Sequence, residues 1–248
     1  MNDFRYSINR YLKFSWQFGV ALILVFGVSR FFIVLEANKT GNYNFTSIIF
    51  LVMWLTPFIL LNKQGKKLIG IKKPGNYTWL FYSFLMGMVA CTIVYLIGQS
   101  LYGSSISNWF EYISNSYTVP IEELQGRTKI TYFLILAVVG MTFSPIGEEL
   151  LYRGLIHQSF VHRFGETTAS NIDSLAFAIV HLAHFGIIYI VGNWEILYIP
   201  ALLWMILMFL VSKLFFICKS KSDSIYGAIL CHSGFNFAMT YFIFYHIL

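Results

Sequence analysis

The sequence contains very little charge for its length. Only 11% of its 248 residues are Asp, Glu, Lys or Arg, whereas a soluble domain carries about 25%. Such a chain lacks the polar side chains to cover a water-facing surface, because 57% of it is hydrophobic and 19% is aromatic. This composition excludes a soluble domain, a disordered chain, a collagen and a coiled coil. It predicts an integral membrane protein.

Several chemically informative patterns are also missing. Three cysteines without a CxxC pair argue against a disulfide framework or a thiolate metal site, so they are interpreted as buried small hydrophobes. The absence of HExxH excludes a standard zincin helix, and the absence of GxSxG excludes a nucleophile elbow. No glycine-rich phosphate loop supports a nucleotide-driven pump. Basic residues lie between apolar segments rather than along one helix, so no nucleic-acid partner is expected.

Long apolar segments are what the sequence has in abundance. About 20 apolar residues cross the hydrocarbon core of a membrane as a helix. Seven segments qualify, at 15–35, 45–61, 78–101, 131–147, 173–191, 196–217 and 225–247. They predict an all-α fold, a polytopic transmembrane helical bundle of about seven spans, with residues 1–248 in a single membrane domain. The first segment is too long for a signal peptide and lacks a small-residue cleavage pattern.

The distribution of Lys and Arg between alternate loops predicts the orientation of the bundle. The N-terminal segment and the loops 62–77, 152–172 and 212–223 hold thirteen of these residues, whereas the opposite loops hold Lys39, Arg127 and Lys129. We therefore expect a cell-membrane protein with a cytoplasmic N-terminus and an external C-terminus. Arg30, within the first segment, is expected to reach the outer headgroups. The outer loop 102–130 is expected to form an amphipathic helix at the membrane interface.

Ionisable residues inside apolar segments are costly in a bilayer and therefore mark candidate functional sites. They are Arg30, Glu148, Glu149, Arg153, His181, His184 and His232. At a helical rise of about 1.5 Å per residue, the two glutamates, His181 and His232 are predicted to lie about 10–15 Å below the cytoplasmic surface. Three separate helices would thus bring carboxylates and imidazoles together in a cavity that faces the cytoplasm.

The spacing of the two glutamates predicts different roles for them. Glu149 and Arg153 are four residues apart and can pair along one helix face. Glu148 points about 100° away and is expected to have no basic partner. A carboxylate beside imidazole in a desolvated pocket can serve as a general base. The alternative is that both glutamates only pair with basic residues near the interface.

The remaining histidines leave more than one interpretation open. His232 and Asn236 are four residues apart, so both side chains are predicted to point the same way, where they would stabilise an oxyanion or join two helices by hydrogen bonds. His184 is interpreted as a packing or substrate-contacting residue, with a ligand role as the alternative. His157 and His162 are expected to be solvated in a cytoplasmic loop.

Taken together, these residues form three motifs, Glu148-Glu149-x-x-x-Arg153, Phe177-x-x-x-His181 and His232-x-x-x-Asn236. In this order, in successive late spans, they resemble the CPBP family. That family includes the CAAX-type prenyl endopeptidases and the Abi-type bacteriocin-processing and immunity proteins. The resemblance covers about residues 130–245, the expected catalytic core, and the earlier spans match only in hydropathy.

The resemblance implies an intramembrane endopeptidase that hydrolyses a peptide bond in a membrane-associated CAAX-type, bacteriocin or pheromone substrate. It implies that Glu148 activates water, that His181 helps to hold this water, and that His232 and Asn236 stabilise the oxyanion. Glu149 and Arg153 would shape the motif. Members are described both as metalloproteases and as metal-independent enzymes, so a metal is left open. Zn²⁺ or another divalent ion would use Glu148, His181 and His232 as ligands.

Two other classes of protein remain alternatives. A membrane immunity or binding protein of the same fold would not need Glu148, His181 and His232 together, and all three are present. A transporter often shows paired broken helices in two repeats, whereas only the region of Pro145 looks broken. The composition looks bacterial. The expected partners are the lipid bilayer and a peptide or protein substrate, and the oligomeric state is left open.

Overall fold

The long helices of this protein pack side by side as a bundle. A computed structural model describes residues 3–117, 119–120, 122 and 124–248. Its long helices are α1 (Trp16–Thr40), α2 (Asn44–Leu60), α3 (Thr78–Tyr102), α4 (Gly126–Glu149), α5 (His157–Val180), α6 (Tyr198–Ser222) and α7 (Ile225–Phe242). Shorter helices lie at Tyr6–Asn9, Lys63–Leu68 and Trp109–Ser114. The predicted all-α bundle is confirmed.

The helices have the length and the surface of membrane-spanning segments. Within the described residues, five helical segments are long and apolar enough to cross a bilayer, namely Trp16–Thr40, Thr78–Tyr102, Gly126–Ala183, Tyr198–Ser222 and Ile225–Ile247. Helix α2 is apolar but has only 17 residues. Outward-facing side chains such as Leu24, Val89 and Leu210 are more than half exposed, as expected for contact with lipid. The chain is therefore a multi-pass membrane protein, and its seven crossings remain a prediction.

The helical stretch that runs from α4 through α5 reverses direction at Gly165, within α5, and so forms a helical hairpin. This residue has a φ of 76°, in the left-handed region that favours glycine. Residues at nearly equal sequence distances before and after Gly165 are in contact across the hairpin: His157 lies 2.7 Å from Asp173, and Glu148 lies 4.0 Å from His181. A straight helix would separate His157 from Asp173 by about 24 Å. The reversal therefore brings the first two sequence motifs face to face.

The predicted cytoplasmic loop 152–172 is wrong, because this segment is helical except at Gly165. A π-helical segment, Leu150–Ile156, continues α4 directly into α5, and all of its residues are buried. The polar residues that suggested a loop either face one another across the hairpin or lie exposed near its tip. Arg153, which is 0% exposed, is therefore an interior residue and not a loop cation.

The predicted span 173–191 is wrong at its C-terminal end. The helix ends within it, and strand β1 (Ile187–Ile190) pairs in antiparallel register with strand β2 (Asn193–Ile196). Gly186 has a φ of 110°, which a helix cannot accommodate. The β-branched residues that follow favour a strand. Apolar composition alone does not distinguish such a strand from the continuation of a buried helix.

The bundle has two chemically different ends. One end, here called the lysine-rich end, consists of residues 3–13, 61–77 and 219–225 and the turn at Gly165. Backbone hydrogen bonds join its segments: the N–H of Gly75 donates to the carbonyl of Ser222 at 3.0 Å, and the N–H of Ile225 donates to the carbonyl of Gly70 at 2.9 Å. These contacts fix the basic loops against the end of the bundle.

The opposite end carries the β-hairpin of β1 and β2 and is here called the hairpin end. It consists of residues 40–44, 103–117, 184–197 and 243–248. The N–H of Tyr189 in β1 donates to the hydroxyl of Tyr112 at 2.9 Å. Trp109 and Phe110 of the short helix Trp109–Ser114 are 0% exposed. The expectation of an interfacial amphipathic helix in the 102–130 loop is therefore wrong, because this helix packs inside the bundle.

Candidate active site

The carboxylates and imidazoles singled out in the sequence meet in the interior of the bundle. Glu148 and Glu149, at the end of α4, are both 0% exposed. His181, just after α5, places its Nε2 4.0 Å from Oε2 of Glu148. His232, on α7, places its Nδ1 2.8 Å from Oε1 of Glu149. Each glutamate therefore faces one imidazole.

Glu149 lies in a layer of packed, buried side chains that contact both of its carboxylate oxygens. Its two oxygens each lie 3.2 Å from a nitrogen of Arg153, so the predicted pair is present. The guanidinium carbon of Arg153 lies 4.3 Å and 5.2 Å from the ring centroids of Phe177 and Phe215, and the guanidinium also donates to the Ser212 hydroxyl. A buried charge needs such partners to offset its loss of hydration. This arrangement holds Glu149 in place.

Arg30 is the main residue whose environment the sequence analysis misjudged. It is 1% exposed, and its Nη2 lies 2.7 Å from Oε1 of Glu148. The same nitrogen lies 3.1 Å from Nε2 of His184 and 3.5 Å from Nε2 of His181. The expectation that Arg30 reaches the headgroups is therefore wrong, as is the expectation that Glu148 lacks a basic partner. An arginine inside a bilayer instead faces the bundle and pairs with an opposite charge.

A signal for the position of Arg30 was present in the sequence. A Cβ added at Gly27 would lie 3.3 Å from Val180, and one added at Gly19 would lie 2.6 Å from Phe160. These two small residues mark the face of α1 that packs closely on the α4–α5 hairpin. Arg30 follows Gly27 by three residues and so lies on that same face.

The geometry around Glu148 leaves one of its oxygens available. Oε1 accepts a hydrogen bond from the Ser144 hydroxyl at 3.1 Å, in addition to its contact with Arg30. Among the residues that the structure describes, Oε2 has no hydrogen-bond partner. This oxygen is itself buried and faces Nε2 of His181 at a distance of 4.0 Å.

Hydrogen bonds define which nitrogen of His181 carries the proton. Its Nδ1 lies 2.7 Å from the carbonyl of Phe177, and a carbonyl can only accept, so Nδ1 must donate. In the neutral ring, Nε2 is then an acceptor directed at Glu148 and Arg30. The indole N–H of Trp204 donates to the carbonyl of His181 at 3.0 Å and fixes the turn that carries this imidazole.

His232 and Asn236 extend the site along α7. Nδ1 of His232 donates to Glu149, while the ring of Phe215 stacks on it at 4.7 Å between centroids. The amide nitrogen of Asn236 donates to the carbonyl of Gly140 on α4 at 2.9 Å. The interhelical hydrogen bond that the sequence left as an alternative is therefore present. A second N–H of this amide remains for another acceptor.

A cavity of about 440 Å³ adjoins the cluster. Arg30, Ser144, His181, His184, His232 and Asn236 form its polar wall, and most of the remaining lining is apolar. The apolar walls run from Phe177 and Phe215, which pack on Arg153, toward the hairpin end. The expectation that the cavity faces the cytoplasm stays a prediction.

The arrangement does not fit the metal site suggested for Glu148, His181 and His232. Nη2 of Arg30 already contacts Glu148 and His181 where a shared divalent ion would need to bind. His232 directs its Nδ1 at Glu149 instead. Within the described part of the chain, no group of three or more His, Cys, Asp or Glu side chains is placed to hold a metal ion. A guanidinium supplies the positive charge at this position.

His157 is also placed differently from expectation. It is 2% exposed, and its two ring nitrogens lie 2.7 Å from Asp173 and 2.8 Å from Glu166. The expectation of a solvated His157 is therefore wrong, because the reversal at Gly165 folds these carboxylates onto it. His162, next to Arg163 in sequence, is exposed as expected.

Together these observations describe a multi-pass membrane bundle with a buried site of carboxylates and imidazoles beside a cavity. Residues 130–238 match the family model described as Type II CAAX prenyl endopeptidase Rce1-like. This match supports the resemblance carried by the three motifs, and over residues 130–238 the chain is similar to this family of membrane proteases. No curated protein and no solved structure matches the chain. Helix α1, with Arg30, lies outside the matched region.

Proposed function

We propose that this protein is an intramembrane endopeptidase in which Glu148 activates the water that attacks a peptide bond. The observation that carries the proposal is the position of the Glu148 carboxylate, which is fully buried, 4.0 Å from His181 and in contact with Arg30 and Ser144, both of which line the cavity. The substrate would be a membrane-associated peptide or protein. The family match supports the general class of CAAX-type endopeptidase.

The contacts of Glu148 support a role as general base. Arg30 and Ser144 hold Oε1, which leaves Oε2 directed at Nε2 of His181. A water bound between them would donate one hydrogen bond to each, because Nε2 is an acceptor while Nδ1 bonds the Phe177 carbonyl. Glu148 would take a proton as this water attacks the scissile carbonyl carbon. It would return that proton to the amine as the C–N bond breaks.

His232 and Asn236 would then act on the oxygen of the attacked carbonyl. Both residues line the cavity beside the proposed water position. The free N–H of Asn236 and, when its ring carries a second proton, Nε2 of His232 are donors for the developing oxyanion. Glu149 and Arg153 would hold His232 in position and would not contact the substrate.

One observation favours a second candidate function. Arg30 forms a buried ion pair with Glu148, so a cation of the protein itself already occupies one oxygen of this carboxylate. The same fold would then serve as a non-catalytic membrane protein that binds a peptide, such as a bacteriocin immunity protein of the Abi type. The cavity would be its peptide-binding site.

Several broader features belong to the same proposal. Residues 1–248 would form one membrane domain with a catalytic core at 130–245. The protein would reside in the cell membrane of a bacterium, with its N-terminus in the cytoplasm and its C-terminus outside. The unequal distribution of lysine between the two ends of the bundle supports this orientation.

The test is cleavage of a membrane-peptide library by the purified protein, with Glu148→Gln beside the wild type. We expect this substitution to reduce turnover by about 10²–10⁴-fold, the range for loss of a general base. Glu36→Gln is the matched control, because Glu36 is exposed on α1 outside the site. Equal cleavage by Glu148→Gln would contradict the mechanism. A wild-type protein that binds a peptide and cleaves none would favour the immunity or binding function.

A further inference from the structure

The cavity beside Glu148 extends toward the hairpin end of the bundle. Beyond the polar cluster, its walls include Ser116, Tyr117, Tyr132, Leu136, Trp204 and Met239. The first two follow the short helix at the hairpin end. The others lie in the halves of α4, α6 and α7 that are nearer to that end. The site is therefore continuous with this half of the molecule.

The mouth of this cavity lies in the lipid-facing surface beside α4. Ile135 and Val139, one turn apart, both line the cavity, yet they are 55% and 42% exposed. Side chains that border an internal space and the outer surface at once mark an opening. Their neighbours Leu134 and Val138 are 54% and 56% exposed. An apolar chain in the bilayer can therefore reach the opening without leaving the hydrocarbon.

The direction toward the lysine-rich end is closed by packed side chains. Leu151, Tyr152 and Leu155 follow the two glutamates along the chain and are all 0% exposed. The guanidinium of Arg153, held between aromatic rings, completes this layer. A second, polar cavity of about 360 Å³ lies beyond it, and none of the residues in this layer lines that cavity. Access from the lysine-rich end would require the layer to unpack.

The charges of the two ends indicate which end faces the cytoplasm. Twelve Lys and Arg residues lie in or near the lysine-rich end, in the N-terminal segment, the loop 61–77, the turn at Gly165 and the second half of α6. Beside the hairpin end lie Lys39, Arg127 and Lys129. The asymmetry remains although Arg30 and Arg153 are interior residues. Lys and Arg concentrate in cytoplasmic loops, so the lysine-rich end belongs on the cytoplasmic side.

We infer that the substrate reaches the site from the outer leaflet, through the opening beside Ile135 and Val139. The inference rests on the proposed endopeptidase function and specifies its substrate class. That class is an apolar segment of an exported, membrane-associated peptide. A prenylated protein held at the cytoplasmic leaflet lies on the wrong side of the packed layer and is not expected to be a substrate.

Chemical labelling in intact cells tests the direction of access. Single cysteines are introduced as Asn193→Cys at the exposed start of β2, Ser220→Cys at the lysine-rich end and Met239→Cys in the cavity. The native Cys91, Cys218 and Cys231 are buried, so the wild type gives the background. We expect a membrane-impermeant thiol reagent to label Asn193→Cys in intact cells. It should also label Met239→Cys there, because Ile113, Ser116 and His184 line both the cavity and a polar pocket at the hairpin end, through which water and the reagent would enter. Ser220→Cys should react only in inverted vesicles.

Tyr241→Cys is the matched control for the cavity position, because Tyr241 is 43% exposed on the outside of the same helix and faces lipid. It should stay unlabelled. Labelling of Ser220→Cys in intact cells would overturn the inference, as would labelling of Met239→Cys only from the side of Ser220. Labelling of Met239→Cys from neither side, while Asn193→Cys reacts, would also overturn it.

A second arm separates this inference from the proposed function. The same peptide library is either exported across the membrane or kept in the cytoplasm of cells that express the protein. Cleavage confined to exported peptides is expected, and cleavage confined to cytoplasmic peptides would overturn the inference. If no peptide is cleaved on either side, the endopeptidase function fails, whereas the labelling result still decides the side on which the cavity opens.

Discussion

The surroundings of Glu148 and of Glu149 differ, although the two residues are adjacent in sequence and equally buried. Glu149 contacts Arg153 through both oxygens and accepts a hydrogen bond from His232. Glu148 is held through one oxygen by Arg30 and Ser144, and its other oxygen faces His181 beside the cavity. One carboxylate is thus fixed within a packed layer, and the other combines a fixed oxygen with an available one.

This difference shows how a step of one residue along a helix separates a structural role from a proposed chemical one. Adjacent residues on a helix point about 100° apart, so they meet different neighbours. Glu149 meets side chains from the filled, lysine-rich side, whereas Glu148 meets Arg30, Ser144 and His181, which line the cavity. The predictions that follow test this comparison through stability, from the largest expected effect to the smallest.

The largest loss of stability is expected for Glu149→Gln. The substitution leaves the Arg153 guanidinium buried without its carboxylate, which lowers the free energy of unfolding by about 3–5 kcal/mol. The measurement is the denaturation midpoint of the purified protein in detergent. The double substitution Glu149→Gln with Arg153→Met is the control and should recover much of the loss. A stable but inactive Glu149→Gln protein would assign the chemical role to Glu149 instead.

A smaller loss is expected for Arg30→Met, because Ser144 still donates to Glu148 when the guanidinium is gone. Removal of one partner of a charged hydrogen bond in the interior lowers the free energy of unfolding by about 1–3 kcal/mol. Thermal denaturation of Arg30→Met beside Arg5→Met, which alters an arginine at the lysine-rich end, checks this. Equal melting temperatures for the two variants would contradict the buried Arg30–Glu148 pair.

Asn236→Ala is expected to lower the free energy of unfolding by about 0.5–1.5 kcal/mol through loss of its bond to Gly140. If the free N–H also stabilises the oxyanion, turnover should fall by about 10²–10³-fold, far more than the stability change explains. Melting temperature and cleavage rate are measured on the same preparation. A loss of stability without a loss of turnover would leave Asn236 with a purely structural role.

The smallest effect is expected for Lys72→Met at the lysine-rich end. Lys72 pairs with Asp223 at 2.6 Å, but these side chains are 38% and 67% exposed. An exposed ion pair contributes about 0–1 kcal/mol, and salt screens it further. Melting temperatures at low and high salt should therefore differ little between variant and wild type. A loss as large as that of Glu149→Gln would mean that burial does not control the strength of these pairs.

The sequence predicted the parts of this protein that depend on composition and on short spacing. Low charge and long apolar segments predicted a membrane bundle, and four-residue spacing predicted the Glu149–Arg153 pair. The order of the three motifs was sufficient for the family resemblance. Each of these features depends on residues that are close together in sequence or on averages over many residues.

Features that depend on how distant helices face one another were not predictable in the same way. An arginine in an apolar helix gives the same sequence pattern whether it faces lipid or protein. The sequence alone therefore predicts the wrong environment for Arg30, which pairs with Glu148. The polar run after Arg153 resembles a loop, yet the reversal at Gly165 buries His157 between two carboxylates. The side on which the cavity opens depends on the packing of α4, α6 and α7 together, which no single segment encodes.

The reversal at Gly165 also has a consequence for changes in chain length. Because Glu148 and His181 meet across this turn, the number of residues in each arm determines which side chains come opposite each other. One residue inserted into a single arm would shift its register by about 1.5 Å and rotate the far side chain by about 100°. Insertions and deletions between 149 and 180 should therefore be tolerated only in matched pairs, one in each arm, or at the turn itself.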